Sequence, residues 1–404
     1  MKIKLNLRQI RLIIIILALV ILSGGIGYWL GGQGMVLNWR GPTRVTLDRS
    51  TPAEKDLDFS LFWVTWDKLS AAYLDKSALD PQQMVYGAIQ GMVASLGDPY
   101  TVFLPPDDNK EAKEDLNGAF EGVGIQLGYL EEQLSVMAPL SGMPAEKAGV
   151  RAGDLILKID GQETTGMTLP EAVNLIRGPK DTSVKLTLVH QDAKESYEVT
   201  IVRTTIIVSS VELVFPQEEI AQIKLTRFGD RTSEEWEQVV NQVLTHQPTV
   251  KGIILDLRNN PGGYLSGSVF IASEFLPSGV VVKQENASGA VESYSIDRKG
   301  LLLYQTLVVL VNQGSASASE IVAGALQESH RAEIVGEKTF GKGTIQEAED
   351  LLGGSGLHVT TARWLLPSGK SLDKEGLMPD NQVIDDPNTE TDEPLQEAIK
   401  ILTD

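Results

Sequence analysis

The stretch Val311-Asn312-Gln313-Gly314-Ser315-Ala316-Ser317-Ala318-Ser319-Glu320 decides how this chain arranges its chemistry. Ahead of it, Leu307 to Val311 is an unbroken apolar run, the pattern of a buried strand. Behind it, Ile321 to Gln327 reads as a helix. A small hydroxyl residue therefore stands on a tight strand-to-helix turn, where its oxygen is exposed and the N–H groups of the helix start point toward it. Gly314, Ala316 and Ala318 keep the neighbourhood small enough for a substrate backbone to approach. The local pattern does not choose among Ser315, Ser317 and Ser319, and Ser319 also suits a helix N-cap.

Downstream lies Lys342, inside Thr339-Phe340-Gly341-Lys342-Gly343-Thr344. A lysine between glycines is an odd choice for a solvated surface and pairs naturally with a serine nucleophile as its base. A base needs the neutral amine, and an unperturbed lysine titrates near about 10.4. Lowering that by ~3 units, roughly 4 kcal/mol, requires taking the amine out of water. Gln346 is a neutral amide able to orient the amine without restoring its charge, as a carboxylate would. Acyl transfer also needs N–H donors for the developing oxyanion. The amide of Ala318 is one candidate, and the turn Asn259-Asn260-Pro261-Gly262-Gly263 offers another.

With 404 residues the chain is long enough for two or three domains. A formal net charge of -19 argues against nucleic acid as a partner, because phosphates would be repelled. The absence of cysteine excludes thiol catalysis and disulfides, and the four histidines show no metal-ligand spacing. No cofactor or metal is called for. At the N-terminus, Lys2, Lys4, Arg8 and Arg11 precede the apolar run Leu12 to Leu22, which continues to Leu30 through Tyr28-Trp29. That is about the length of a membrane span with a cytoplasmic start. No clean cleavage site follows, so an anchor is expected rather than a signal peptide, with the rest of the chain outside the cytoplasm.

After a polar stalk come two helices, Asp58 to Leu74 and Gln82 to Leu96. A second region, from about Leu116 to Arg203, alternates short strands with glycine turns. It carries a hairpin signal at Asp160-Gly161 and a capping box between Thr168 and Glu171. Gly122-Val123-Gly124-Ile125 opens it with a turn whose successive N–H groups suit a peptide carboxylate, the next strand adding the peptide as an extra strand. Arg177, at the end of the short helix, is expected to be solvated. The third region, about Val211 to Asp380, alternates strands, read at Lys251–Leu257 and Leu301–Val311 among others, with helices, and is α/β. An acidic tail and a last amphipathic helix, Leu395 to Leu402, close the chain.

Together these motifs resemble the C-terminal processing (tail-specific) serine peptidases over nearly everything after the anchor. The resemblance rests on Ser95-Leu96-Gly97-Asp98-Pro99-Tyr100-Thr101, Glu121 to Ile125, Leu257 to Gly263, Gly314 to Glu320, Gly336 to Gln346 and Gly376 to Asp380. It implies that Ser317 is the nucleophile, Lys342 the general base and Gln346 the orienting glutamine, with Gly263 and Ala318 as oxyanion donors. It implies a PDZ domain, holding the peptide at Gly122, Val123, Gly124 and Ile125, ahead of a ClpP/crotonase-like α/β protease core. Glu328 stands where some members carry an aspartate. Relatives with such a helical region dimerise through it, so a homodimer is implied. The expected layout is a membrane anchor and start of stalk over 1–40, stalk and helical region over 41–114, PDZ domain over 115–205, protease core over 206–384, and tail and helix over 385–404. The expected activity is that of an extracytoplasmic, membrane-anchored serine endopeptidase acting on proteins with exposed C-termini. A catalytically silent PDZ scaffold and a thioester-processing crotonase relative are the rival classes.

Overall fold

The computed structural model describes residues 58–404 apart from 131, 191, 192, 194, 387 and 390. The expected anchor and stalk lie outside the described residues, and no helix among the described residues is long and apolar enough to cross a membrane. The chain divides into two units, one ending at Asp80 and one running from Pro81 to Asp404. In the first, helix α1 (Ser60–Ala72) buries Trp66 but leaves Leu61 and Leu69 exposed.

The second unit opens with α2 (Pro81–Ala94), the short strand β1 (Val102–Leu104) and α3 (Pro106–Asn117). Helix α3 was not evident from apolar periodicity, because its sequence is almost wholly polar. Pro106 in its first turn, Asp107 and Asp108 against the helix dipole, and Gly118 in the left-handed conformation at its end (φ 62°) define it instead.

Strand β2 (Ala119–Gly122) pairs antiparallel with the much later segment Thr204–Ile207, so that a two-stranded ribbon brackets the second region. Between them lie β3 (Ile125–Leu130), β4 (Gln133–Pro139), α4 (Pro144–Lys147), β5 (Leu155–Ile159), β6 (Gln162–Glu163), α5 (Leu169–Ile176), β7 (Ser183–Val189) and β8 (Tyr197–Val202), followed by β9 (Thr204–Ile207). The sheet runs β3-β4-β5-β7-β8, antiparallel throughout, around Val136, Ile156, Ile159, Leu186, Leu188 and Ile201. The hairpin at Asp160-Gly161 is formed, both residues at positive φ (48° and 85°), and the capping box is present, with Thr168 N–H donating to Glu171 Oε2 at 2.7 Å. The run from Gly122 to Leu127 is not one strand. Gly124 turns the chain at φ 78°, leaving Gly122 in the ribbon and Ile125 at the start of β3, the open edge of the sheet.

The third region contains β10 (Val211–Gln217), β11 (Ile220–Leu225), α6 (Thr232–Thr245), β12 (Gly252–Asp256), α7 (Leu265–Phe275), β13 (Val280–Asn286), β14 (Val291–Ser295), β15 (Thr306–Val311), α8 (Ala318–Glu328), β16 (Glu333–Gly336), β17 (Thr344–Asp350), β18 (Gly356–Leu365), β19 (Asn381–Gln382) and α9 (Glu393–Thr403). One sheet has the order β10-β11-β12-β15-β16-β19, parallel from β11 onward. Its strands are apolar on both faces because both are covered. Ile253, Leu255 and Val309 face a core with residues of α6, α7 and α8, while Ile254, Val308 and Leu310 face a second core with Ala398 of α9. The chain end is thus a structural layer of the sheet. Arg258 ties it down, its guanidinium donating to Asp256 at 2.7 Å and to Asp392, the N-cap of α9, at 2.7 and 2.9 Å.

The strand expected from Leu301 starts only at Thr306. Gly300 lies so close to α7 that a Cβ there would sit 2.1 Å from Glu274 O, and Leu302 N–H donates to Glu274 Oε1 at 3.2 Å, so these residues are held against α7 rather than paired in a sheet. A second, antiparallel sheet joins β1, β18, β13 and β14, with β17 paired to β18. Through β1, the segment after α2 becomes an edge of the third region, with Val102 opposite His358.

Candidate active site

The turn after β15 is built by side chains that tie two strand ends together. Ser315 Oγ donates to Leu257 O at 2.8 Å and Ser319 Oγ to Asn260 O at 3.0 Å, both fully buried. These two hydroxyls are therefore committed to the backbone. Ser317 stands half-buried between them at the N-cap of α8, and among the described residues its hydroxyl is given to no backbone carbonyl. Its backbone has φ 54° and ψ -115°, a conformation costly for a residue with a Cβ and found where surrounding structure enforces it. The pattern left three serines open; the packing separates them.

The turn after β12 fits against this one. Asn260 is buried, donates from Nδ2 to Leu225 O at 2.7 Å and accepts from Gly262 N–H at 2.9 Å. Gly262 has φ 103°, and a Cβ on it would lie 2.8 Å from Ser317 Cβ and 2.9 Å from Ala316 O. At Gly263, φ 138°, a Cβ would lie 2.2 Å from Phe228 O. Only glycine brings the two backbones this close. The amides of Gly263 and Ala318 make no hydrogen bond among the described residues, and both residues line one cleft with Ser317.

That cleft is also lined by Leu116, Tyr264, Ile321, Lys342, Gln346 and Trp364. The lysine is held by its backbone: Lys342 O accepts from Trp364 Nε1 at 2.8 Å, and Gly343 N–H donates to Asp373 Oδ1 at 3.1 Å. Burial pushes the Lys342 amine below its ordinary value, while the carboxylate of Asp98 works in the opposite sense. The Nζ atom sits over the ring of Tyr100, 5.0 Å from its centre, and no hydrogen bond joins it to Ser317 Oγ among the described residues. Gln346 donates from Nε2 to Thr344 Oγ1 at 2.9 Å and to Thr360 Oγ1 at 3.1 Å, which leaves its carbonyl oxygen as the end free to accept from an amine.

Sequence reasoning passed over Glu320. Its fully buried carboxylate accepts from Ser317 N–H at 2.8 Å, Thr339 Oγ1 at 2.6 Å, Gly341 N–H at 2.8 Å and Lys342 N–H at 3.0 Å. One carboxylate thus fixes the serine turn and the lysine segment to each other. The spacing from Ser317 to Glu320 is that of a capping box, and was the available signal. Glu328, by contrast, accepts from Ser368 N–H at 2.8 Å and does not line the cleft.

Gly122, Val123, Gly124 and Ile125 lie in the second region, and none of them lines this cleft. Val123 is buried, and its carbonyl accepts from Ala145 N–H at 3.0 Å. Arg177 is not simply solvated: it pairs with Glu114 at 3.4 Å and stacks on Phe120 at 4.5 Å.

Fold and cleft together define a serine-type peptidase built on a mixed α/β core with an inserted antiparallel domain. The pattern of peptidase family S41 matches residues 219–383, that of a PDZ domain residues 135–189, and that of the N-terminal domain of the activating protease CtpB residues 33–108. The carboxy-terminal processing protease CtpA of Bacillus subtilis is 33% identical over 373 residues, 92% of this chain and 77% of its own length. A carboxyl-terminal-processing protease of Synechocystis is 38% identical over 360 residues, 86% of this chain and 83% of its own. A solved structure described as an S41 protease from Bacteroides fragilis has a TM-score of 0.54 at 16% identity, over 88% of this chain and 99% of that one, and shares the fold. The chain belongs to the C-terminal processing proteases of peptidase family S41.

Proposed function

We propose that this protein cleaves polypeptides near their C-termini with Ser317 as nucleophile and Lys342 as general base. The observation that carries the reading is a single cleft lined by a strained serine whose hydroxyl is given to no carbonyl, a lysine whose amine burial drives toward neutrality, and two amides without hydrogen-bond partners among the described residues. Lys342 swings from Tyr100 to the hydroxyl and takes its proton as Ser317 Oγ bonds to the peptide carbonyl carbon. The amides of Gly263 and Ala318 hold the oxyanion. Gln346 orients the amine. The proton then passes to the leaving nitrogen, and water resolves the acyl-enzyme.

The PDZ domain captures the substrate's C-terminal tail. Support comes from β3, an open edge strand that follows the Gly122–Ile125 turn and packs with α5, the arrangement in which an added peptide strand finds partners. The apolar N-terminal run anchors the chain, with the catalytic part outside the cytoplasm, and two copies associate through the helical region. The test is cleavage of an unfolded protein by the purified full-length chain, with product C-termini read by mass spectrometry. Cleavage by wild type and none by Ser317→Ala supports the reading; equal cleavage by both defeats it.

A further inference from the structure

We propose that Asp98 and Tyr100 complete the catalytic centre as a positioning pair that receives and stabilises the Lys342 ammonium formed when the serine is deprotonated. The inference rests on Lys342 being the base. Acylation moves the proton from Ser317 Oγ to Lys342 Nζ as the oxygen–carbon bond forms, and the same proton leaves with the amine when the carbon–nitrogen bond breaks. In between, a cation exists in a largely buried cleft and needs a counter-group, as the imidazolium does in a serine–histidine–aspartate triad.

The segment from Gly97 to Thr101 supplies one. It precedes β1, and Thr360 N–H of β18 donates to Thr101 Oγ1 at 3.0 Å. Asp98 accepts from Tyr100 N–H at 3.0 Å and from Thr101 Oγ1 at 2.7 Å, so its carboxylate and the Tyr100 ring are fixed together. The ring face lies 5.0 Å from Lys342 Nζ, within range of a cation–π attraction. Thr360 is shared with Gln346, so pair and glutamine are held in one frame.

The other charged groups around the lysine are differently occupied. Glu320 of α8 is filled by backbone N–H groups and the Thr339 hydroxyl, and Asp373 accepts from Gly343. His358 of β18 is held below its ordinary value by burial and by the Lys342 charge, so it is a neutral neighbour. Asp98 is the carboxylate that opposes the lowering of the lysine.

The test is the pH dependence of kcat/KM for the purified full-length chain acting on fluorescently labelled unfolded casein. The acid limb reports the base of the free enzyme. Asp98→Asn removes the negative charge, and Tyr100→Leu removes the ring while keeping an apolar cover. Each is expected to move the acid limb to lower pH by about half a unit and to lower kcat several-fold with KM little changed. Tyr100→Phe, which keeps the ring, is expected to retain the wild-type limb. An acid limb that stays in place or moves upward in Asp98→Asn, with Tm unchanged, overturns the inference whether or not Tyr100→Leu folds. Cleavage persisting in Lys342→Ala would remove the base reading, and this inference with it.

Discussion

The two sheets of the larger unit differ in what they ask of their residues. The parallel sheet of the third region is buried on both faces, with Ile253, Ile254 and Leu255 all fully enclosed although they alternate in direction. The PDZ sheet is antiparallel and half open: in β7, Val184, Leu186 and Leu188 are buried while Ser183 and Lys185 are exposed. A doubly covered sheet is a rigid platform, able to hold Ser317 at φ 54° and two glycines at backbone contact against it. A half-open sheet with a free edge strand, joined to the rest by the β2/β9 ribbon, is suited to receiving a ligand. On the function proposed above, the first carries chemistry and the second capture.

The largest effects should come from breaking the platform's chemistry. Ser317→Ala and Lys342→Ala are each expected to lower cleavage by a factor of about 10⁴ or more while leaving the thermal transition in place. Residual activity near wild type in either would break the comparison at its centre.

Next come the contacts that hold the platform in shape. Gly262→Ala would push a methyl group to 2.8 Å from Ser317 Cβ at a backbone φ of 103°. It should cost on the order of 2 kcal/mol and most of the activity. Glu320→Gln keeps the shape of the buried hub but loses its charge and replaces an acceptor with a donor facing N–H groups. A stability loss of about 2–3 kcal/mol by denaturant titration, with kcat falling more than KM rises, is expected. A variant with unchanged kcat would show that the serine turn and lysine segment hold their relation without it.

A change in the capture region should behave differently. Gly124→Ala would place a Cβ 2.5 Å from Met143 Cβ, at φ 78°, beside the β3 edge. It should raise KM for a protein substrate by about tenfold, leave kcat nearly unchanged, and cost about 1–2 kcal/mol in the PDZ domain alone. An equal fall in kcat would blur the division of labour.

The smallest and sharpest effect is on pH. Burial lowers the Lys342 amine, and the base is active when neutral, so kcat/KM should rise with pH through a transition below the ordinary lysine value. A rise centred at the ordinary value would mean an amine fully hydrated when it works.

Much of this was legible in the chain. Strands buried on both faces announce themselves as apolar runs, and glycines beside a small hydroxyl cluster mark backbones that must come close. Thr168 with Glu171 and Asp160-Gly161 read correctly because local side-chain chemistry fixes caps and tight turns. The polar helix α3 was missed because it has no apolar stripe to read. The strand expected from Leu301 was placed too early because Glu274 captures the loop, a contact between distant residues.

By itself, then, the sequence determined the α/β alternation and the strand-and-turn pattern of the second region, since these depend on periodicity and local turn chemistry, while the PDZ domain and the roles of the centre's residues followed from the resemblance of its motifs to a family. Tertiary structure alone decided which serine hydroxyl is given to no carbonyl, because those of Ser315 and Ser319 are taken by carbonyls on another strand end. It also decided that Glu320 binds both halves of the site and that Tyr100, more than two hundred residues upstream, stands against Lys342. Those relations arise from the order in which strands pair, which brings β1 beside β18 and the ends of β12 and β15 side by side.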